Sequence, residues 1–377
     1  MLSPRENLLR VLRHEMPEWI PICGHCDPYN QPHRDGMDPA LAEKLGTVRW
    51  GDESTVHFSR ALGLDIMDWF SGPPIRSRGD GVEVERTLEG DDAIHVWHTP
   101  RGDLREVVRR ARADGTSYRV EHLLKGPDDL PALASAFEDE SFEADPERAA
   151  ELAQRRTLIG EDGLIAFPMP STPLGMLVRV YAGVATTAFL CHDAPDALRD
   201  LFAVMGENYL RRARLAATFE EADVLITVDD TSTTTVSPAL FECYCLDYTN
   251  RAAEVCHAAG KSYFHHSCGL IRDLLDLYRR TKMDAVHAFT VPPIGDVTVR
   301  EGKTRLGPDI VIFAGLTQLF GSLDDWDAVA ASVRDMFEGA APGDNFILGL
   351  AADPEKTMAD TRRLLDECRK YQTLSGS

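Results

Sequence analysis

Short apolar runs alternate with helical segments through the second half of the chain. Each run ends in polar, glycine or proline residues and is followed by a segment with helical periodicity; the six runs lie at 163–167, 223–228, 261–264, 285–289, 310–314 and 346–348. Strand–helix alternation predicts a parallel sheet with helices outside it. Earlier runs at 20–22 and 64–67 bring the count to about eight, which favours a closed barrel over an open doubly wound sheet.

Two other patterns complete the predicted architecture. Ser3, Pro4 and Glu6 form a helix-start signature, and Leu8 and Leu12 belong to the apolar stripe that follows it. Residues 82–122 instead alternate apolar and polar side chains around turn signals, which predicts an antiparallel β excursion. We therefore predict an α/β protein, a (β/α)8 TIM barrel forming a single domain over 1–377, with a β-rich insertion at about 80–125.

Composition narrows the classes of function. The 377 residues are 44% hydrophobic and 27% charged, which is typical of a globular protein. We find neither an apolar run long enough for a membrane helix nor the apolar segment of a secretory signal, so we expect a cytoplasmic protein. The net charge of −21 argues against nucleic acid or an anionic membrane as a partner. The phosphate-binding glycine motifs of nucleotide folds are also missing.

Polar and metal-binding side chains follow the predicted strands, where a (β/α)8 barrel carries its active site. We expect acid–base work from Asp229, Asp230 and His287. We expect substrate contacts from His25, Cys26, Asp296 and Gly315. Paired acids at a strand end also serve as helix caps, so Asp229 and Asp230 have a structural interpretation as well.

The sharpest motif is His266-Ser267-Cys268-Gly269. Residues two apart on a strand point the same way, so His266 and Cys268 can present an imidazole and a thiolate to one ion. Nitrogen and sulfur ligands favour zinc among common divalent metals. The structural alternative is a small core cysteine beside a hydrogen-bonded histidine. His265, next in the chain, must face the other way.

Four segments carry a resemblance to a known family. They are SPRENLLRVLRHEMPEWIPI at 3–22, HTPRGDLREVVRR at 98–110, HHSCGLIRDLL at 265–275 and PPIGDVTVREGKTRLGPDIVIFAGL at 292–316. Together they resemble the uroporphyrinogen decarboxylase superfamily over essentially the whole chain. The third and fourth resemble its corrinoid-dependent methyltransferase branch, which includes methylcobamide:coenzyme M methyltransferase. The resemblance implies a (β/α)8 fold and an enzyme.

The sequence departs from that family at two places. The true decarboxylases carry R-Q-A-G-R after the first strand, whereas residues 23–27 are CGHCD, so porphyrinogen decarboxylation is not expected. The methyltransferases bind zinc through the H-x-C pair and a cysteine after the last strand, where Ala352 stands here. We expect Asp353 to be the third metal ligand, with Cys26, His25 or Cys245 as alternatives.

The resemblance implies a methyltransferase that moves a methyl group between a small O-, S- or N-methyl compound, or a thiol acceptor, and a cobalamin. Zinc would activate the thiol or hydroxyl. The chain has no D-x-H-x-x-G segment, so the cobalamin is expected on a separate corrinoid protein docked over the barrel mouth.

Two alternatives stay open. One is a metal-independent decarboxylase or lyase for a small carboxylated substrate, in which Arg34 or Arg179 would hold the carboxylate. The other is a non-catalytic, decayed member of the family, since fold does not guarantee function.

Overall fold

The computed structural model describes residues 2–25, 36–45, 53–69, 71–79, 81–110, 117–315, 325–351 and 357–373. The strands are β1 (Ile22–His25), β2 (Ile66–Asp68), β3 (Ile75–Arg78), β4 (Glu83–Glu89), β5 (Asp92–Thr99), β6 (Gly102–Arg110), β7 (Ser117–Glu121), β8 (Ser141–Ala144), β9 (Gly163–Met169), β10 (Val224–Val228), β11 (Ser262–His266), β12 (Ala285–Thr290), β13 (Val311–Gly315) and β14 (Phe346–Ala351).

The helices lie mostly between the later strands. They are α1 (Pro4–Leu12), α2 (Pro39–Leu45), α3 (Glu53–Leu62), α4 (Leu130–Glu138), α5 (Pro146–Ile159), α6 (Pro173–Met176), α7 (Gly183–Asp193), α8 (Pro195–Ala217), α9 (Pro238–Tyr244), α10 (Leu246–Ala258), α11 (Leu275–Tyr278), α12 (Val299–Leu306), α13 (Trp326–Ala340) and α14 (Met358–Gln372). In the part of the chain that the structure describes, no helix is long and apolar enough to cross a membrane.

Eight parallel strands form the central sheet, in the order β1-β14-β13-β12-β11-β10-β9-β2. Its two end strands, β1 and β2, meet through a parallel bridge between Cys23 and Asp65. The Asp65 amide also donates to the Ile22 carbonyl at 3.0 Å. The sheet is thus a nearly closed barrel, and the predicted (β/α)8 fold is confirmed.

The lumen of the barrel is filled by alternate side chains of the strands and plugged at its amino-terminal end by α1. Leu8, Val11 and Leu12 of this helix share one buried cluster with Val224 and Phe264 of the strands. Ser3 caps the helix as predicted, accepting a hydrogen bond from the Glu6 amide at 3.2 Å. Arg5 then fixes the plug to the barrel through an ion pair of 2.5 Å with Asp223.

The predicted antiparallel excursion is also present. Strands β4 to β7 form a four-stranded sheet in sequential order, and β3 pairs with β8 beside it. Leu104 of β6 and Trp97 of β5 belong to the outer apolar core, which also includes Leu133 of α4. The excursion therefore packs on the barrel through α4.

Candidate metal centre

The side-chain alternation that fills the lumen also sets which residues face its carboxyl-terminal mouth. Val224 and Ile226 of β10 point into the lumen, as does Phe264 of β11. Two residues further on, this alternation reaches His266, and β10 and β11 pair with Val228 opposite His266. Continuing both strands by two residues brings Asp230 beside Cys268.

Asp230, His266 and Cys268 converge at this mouth. Their ligand atoms all lie within 4.8 Å of one another, and among the described residues they are the group of three that could hold a metal ion. The Nε2 atom of His266 is 2.9 Å from Oδ1 of Asp230. The Cys268 thiol donates to the same oxygen at 3.5 Å. The two residues of the H-x-C motif thus meet a carboxylate for which the sequence predicts acid–base work.

Local backbone distortion aims these side chains. Asp230 has a φ of +50°, in the left-handed region that aspartate tolerates better than most residues. Its amide still donates to the His266 carbonyl at 3.1 Å, so the strand pairing carries on past the turn. On β12, Ala288 has a φ of +59° and the register with β13 shifts between His287 and Phe289. Such bulges re-aim side chains beside functional sites.

His287 holds the imidazole of His266 from behind. The two Nδ1 atoms are 2.8 Å apart, so one ring donates and the other accepts. The indole of Trp69 stacks on His266 at 6.1 Å and tilts against His287 at 5.1 Å. The ring of Phe313 closes the lumen side of His287 at 4.7 Å. Both imidazoles are therefore fixed in orientation.

Arg179 holds Asp230 from the other side. Its Nε atom is 3.1 Å from Oδ2 of Asp230. Its Nη1 atom donates to the Ser171 hydroxyl at 2.9 Å and to the Val228 carbonyl. Burial by itself would raise the pKa of Asp230, but hydrogen bonding from His266 and the charges of His266 and Arg179 outweigh it, so this pKa is lowered. Asp230 is an ionised acceptor.

The same surroundings that lower the pKa of Asp230 raise the pKa of the Cys268 thiol. Burial, the charge of Asp230 and the hydrogen bond to Asp230 raise the pKa of the Cys268 thiol to about 11. The thiol is therefore protonated near neutral pH when no cation is bound. A divalent ion at this point reverses the local electrostatics and favours the thiolate.

Asp229 points away from this group and is 3% exposed. Its Oδ1 accepts from the Thr172 amide at 2.6 Å and its Oδ2 from the Thr172 hydroxyl at 2.7 Å. Burial raises the pKa of Asp229 to about 6, with the Thr172 hydrogen bonds opposing the shift. The carboxylate ties the end of β10 to the start of α6. Its acid–base role stays a prediction.

The other predicted residues are not members of this group of three, and the substrate contacts expected of Asp296 and Gly315 stay predictions. Asp296 accepts hydrogen bonds from the amides of Ile271 and Arg272 at 2.9 and 3.2 Å, which ties two loops together. Gly315 ends β13 opposite Gly349. Cys245 is buried, with its sulfur 3.7 Å from the Thr172 hydroxyl, and it is not a member of the metal group.

Several predicted positions fall outside the described residues. They are Cys26, Arg34, Ala352, Asp353 and the side chain of His25. Asp353 as a third metal ligand, and His25 and Cys26 as substrate contacts, remain predictions.

Two features of the site do not follow from the sequence patterns. One is Trp69, because a tryptophan after a short apolar run carries no ligand signal. The other is the position of Asp230 beside Cys268, which depends on the adjacency and register of β10 and β11; the acid–base role of Asp230 stays a prediction.

Comparison with known proteins supports the architecture. Among solved structures, a methyltransferase from Methanosarcina mazei is similar with a TM-score of 0.61 and 14% identity, covering 98% of this chain and 99% of that chain. An endo-glycoceramidase II from Rhodococcus sp. gives a TM-score of 0.35 at 10% identity, covering 60% of this chain and 66% of that chain. At these identities the first likeness concerns the fold alone, and the second has a TM-score too low to carry an argument.

Sequence comparison shows the family. No curated protein matches the chain. Residues 149–371, more than half of the chain and including the whole H-x-C segment, match the profile of the family described as uroporphyrinogen decarboxylase (URO-D). The chain belongs to the uroporphyrinogen decarboxylase (URO-D) family.

Proposed function

We propose that this protein is a methyltransferase of the corrinoid-dependent type, with a zinc ion held by Asp230, His266 and Cys268. The observation that carries the proposal is the convergence of one oxygen, one nitrogen and one sulfur donor within 4.8 Å at the barrel mouth. Three protein ligands leave the fourth position of a tetrahedral zinc ion open, which is the arrangement of catalytic zinc sites.

The residues present fit zinc on chemical grounds. Imidazole, thiolate and carboxylate are all common zinc ligands, and the thiolate disfavours magnesium and calcium. Asp230 supplies the third donor that Ala352 cannot supply. The negative charges of Asp230 and Cys268 balance a divalent ion, so the loaded centre carries no net negative charge against an incoming anion.

A bound zinc ion would supply the Lewis acidity that lowers the pKa of a thiol or hydroxyl group on the substrate. The protein's own part is orientation. If His266 held the ion through Nε2, its ring proton would lie on Nδ1 and would donate to Nδ1 of His287, 2.8 Å away. Arg179 fixes Asp230 so that Oδ1 faces the other two donors.

The methyl group would be exchanged with the cobalt of a cobalamin on a separate corrinoid protein. We base this on the H-x-C-G segment and on the likeness to the methyltransferase from Methanosarcina mazei. The chain would position a small methylated compound or a thiol between the metal centre and that partner.

Metal content and a probe reaction test the proposal together. Wild type, Cys268→Ala and the control Cys243→Ala, whose cysteine is exposed, are assayed for zinc and for demethylation of free methylcobalamin with 2-mercaptoethanol as acceptor. We expect near-stoichiometric zinc and demethylation in wild type and in the control, and neither in Cys268→Ala. A wild type that stays free of zinc when zinc is supplied during expression would overturn the proposal.

The carboxy-lyase alternative has one observation in its favour. Burial raises the pKa of Asp229 to about 6, within the range of a general acid or base, and in this alternative its contacts with Thr172 would have to open to a substrate. In that case decarboxylation of a small carboxylate would survive a chelator and disappear in Asp229→Asn. Loss of activity in the chelator excludes this alternative.

A further inference from the structure

A cavity of about 160 Å³ lies outside the metal centre, between α8, the end of α4, β8 and the connection after β9. None of the three metal-binding side chains lines it. Four aromatic side chains do: Phe137, Phe142, Tyr181 and Tyr209. The rings of Phe137 and Tyr181 meet edge to face at 5.8 Å. The cavity thus has aromatic walls on several of its surrounding elements.

One positive side chain enters this cavity without a hydrogen-bond acceptor. Arg212 of α8 lines the cavity, and its Nε atom is buried with no hydrogen-bond partner. Its guanidinium carbon lies 5.7 Å from the centre of the Phe142 ring. Burial lowers the pKa of this guanidinium, which records the cost of removing it from water. A buried N–H group without an acceptor is unfavourable, and a ligand in the cavity can supply that acceptor.

One negative side chain lines the same cavity. Oε2 of Glu140 accepts from Nδ2 of Asn208 at 3.0 Å, and the same amide donates to the Phe137 carbonyl at 2.8 Å. Asn208 therefore fixes the carboxylate in place. The charge of Glu140 opposes the lowering of the Arg212 pKa, but the two side chains form no ion pair. A cation and an anion thus share one cavity without neutralising each other by contact.

We infer that this cavity binds a small zwitterion made of a carboxylate and a quaternary ammonium group, that is, a betaine. A carboxylate matches the forked donors of Arg212. The cationic end would lie among the rings and near Glu140. A primary ammonium needs acceptors for three N–H groups, whereas aromatic walls suit a cation that needs none. This site is independent of the proposed methyl transfer.

Calorimetric titration with three matched probes tests the inference: glycine betaine, choline, which lacks the carboxylate, and 3,3-dimethylbutanoate, which lacks the positive charge. We expect wild type to bind glycine betaine at least about tenfold more tightly than either of the others. Arg212→Met should lower the affinity for glycine betaine about tenfold and leave choline unchanged. Phe137→Leu, at a ring other than the Phe142 ring beside Arg212, should weaken the binding of glycine betaine and choline but not of 3,3-dimethylbutanoate.

Two controls separate this site from the metal centre and from misfolding. Cys268→Ala should bind glycine betaine as wild type does, whatever its zinc content. Each variant is checked for an unchanged melting temperature. The inference is overturned if wild type shows no binding of glycine betaine at concentrations on the order of 10 mM. Equal affinity for 3,3-dimethylbutanoate, or unchanged binding in Arg212→Met, would overturn it as well.

Discussion

Asp230 shares one oxygen between an imidazole and a thiol while Arg179 holds its other oxygen. Such a carboxylate is fixed in direction before any ion arrives, and preorganised ligands lose little entropy on binding. The adjacent Asp229 differs from it only in facing the other side of the strand, where Thr172 takes both of its oxygens. Asp229 and Asp230 are neighbours in the sequence, but their side chains point in different directions and therefore have different partners.

Removing the carboxylate should remove the metal. For Asp230→Ala we expect zinc affinity to fall at least about a hundredfold, since one of three protein ligands is lost. Competition with a chromophoric chelator measures this, and the cobalt(II) form should change its visible spectrum. Asp276→Ala, at a side chain that is 77% exposed, is the matched control. Unchanged zinc affinity in Asp230→Ala would rule out Asp230 as a ligand.

His287 should act on the metal only through His266. His287→Leu removes the group that receives the Nδ1 proton of His266, and loss of such a partner typically costs 10–100-fold in metal affinity. His287→Gln keeps an acceptor and should retain part of that affinity. The control is His257→Leu, whose histidine pairs with Asp284 at the start of β12. If His287→Leu binds cobalt(II) with an unaltered spectrum and affinity, the positioning role fails.

At the scale of elements, the seam between β1 and β2 closes the barrel. Among the described residues a single bridge joins these strands, and Asp65 reinforces it by accepting from the Ile22 amide at 2.9 Å and from the Trp19 indole. Burial raises the pKa of Asp65 to about 6 against these hydrogen bonds. The carboxyl group thus holds the seam while its ionised form is disfavoured by its surroundings.

The raised pKa of Asp65 makes the stability of the fold depend on pH, and the stability falls as the pH rises. Folded protein binds the Asp65 proton more tightly than unfolded protein, so the contribution of Asp65 to stability is complete below pH 3.8 and is lost as the pH rises to about 6. Asp65→Asn should therefore gain stability relative to wild type between pH 4 and 7, by up to about 3 kcal/mol. Urea unfolding at several pH values measures the difference. A difference that does not vary with pH would contradict the assignment, and Asp276→Asn should show none.

At the scale of the whole molecule, the proposed metal centre joins two neighbouring strands at the mouth of a barrel whose other end is plugged by α1. Asp230 follows β10, and His266 ends β11. An ion bound by both strand ends stabilises the folded state, because the unfolded chain does not hold the three donors together.

Zinc should therefore raise the melting temperature. At a free zinc concentration of 100 times its dissociation constant, the free energy of unfolding should rise by about 2.7 kcal/mol, which corresponds to about 3 °C for a chain of this size. Differential scanning calorimetry measures the shift. Cys268→Ser should lose it and Cys243→Ser should keep it. An equal shift in both variants would mean that zinc binds elsewhere.

The sequence by itself determined the fold class, because strand–helix alternation, the cap at Ser3 and the β excursion are local patterns. It also determined that His266 and Cys268 point the same way, because residues two apart on a strand share a face. Only the tertiary structure decided that Asp230 joins them, since that contact depends on the register between two strands far apart in the chain. Only the tertiary structure decided that Asp229 accepts hydrogen bonds from Thr172. The cavity lined by Arg212 also exists only in the folded chain, because three separate parts of the chain form its walls.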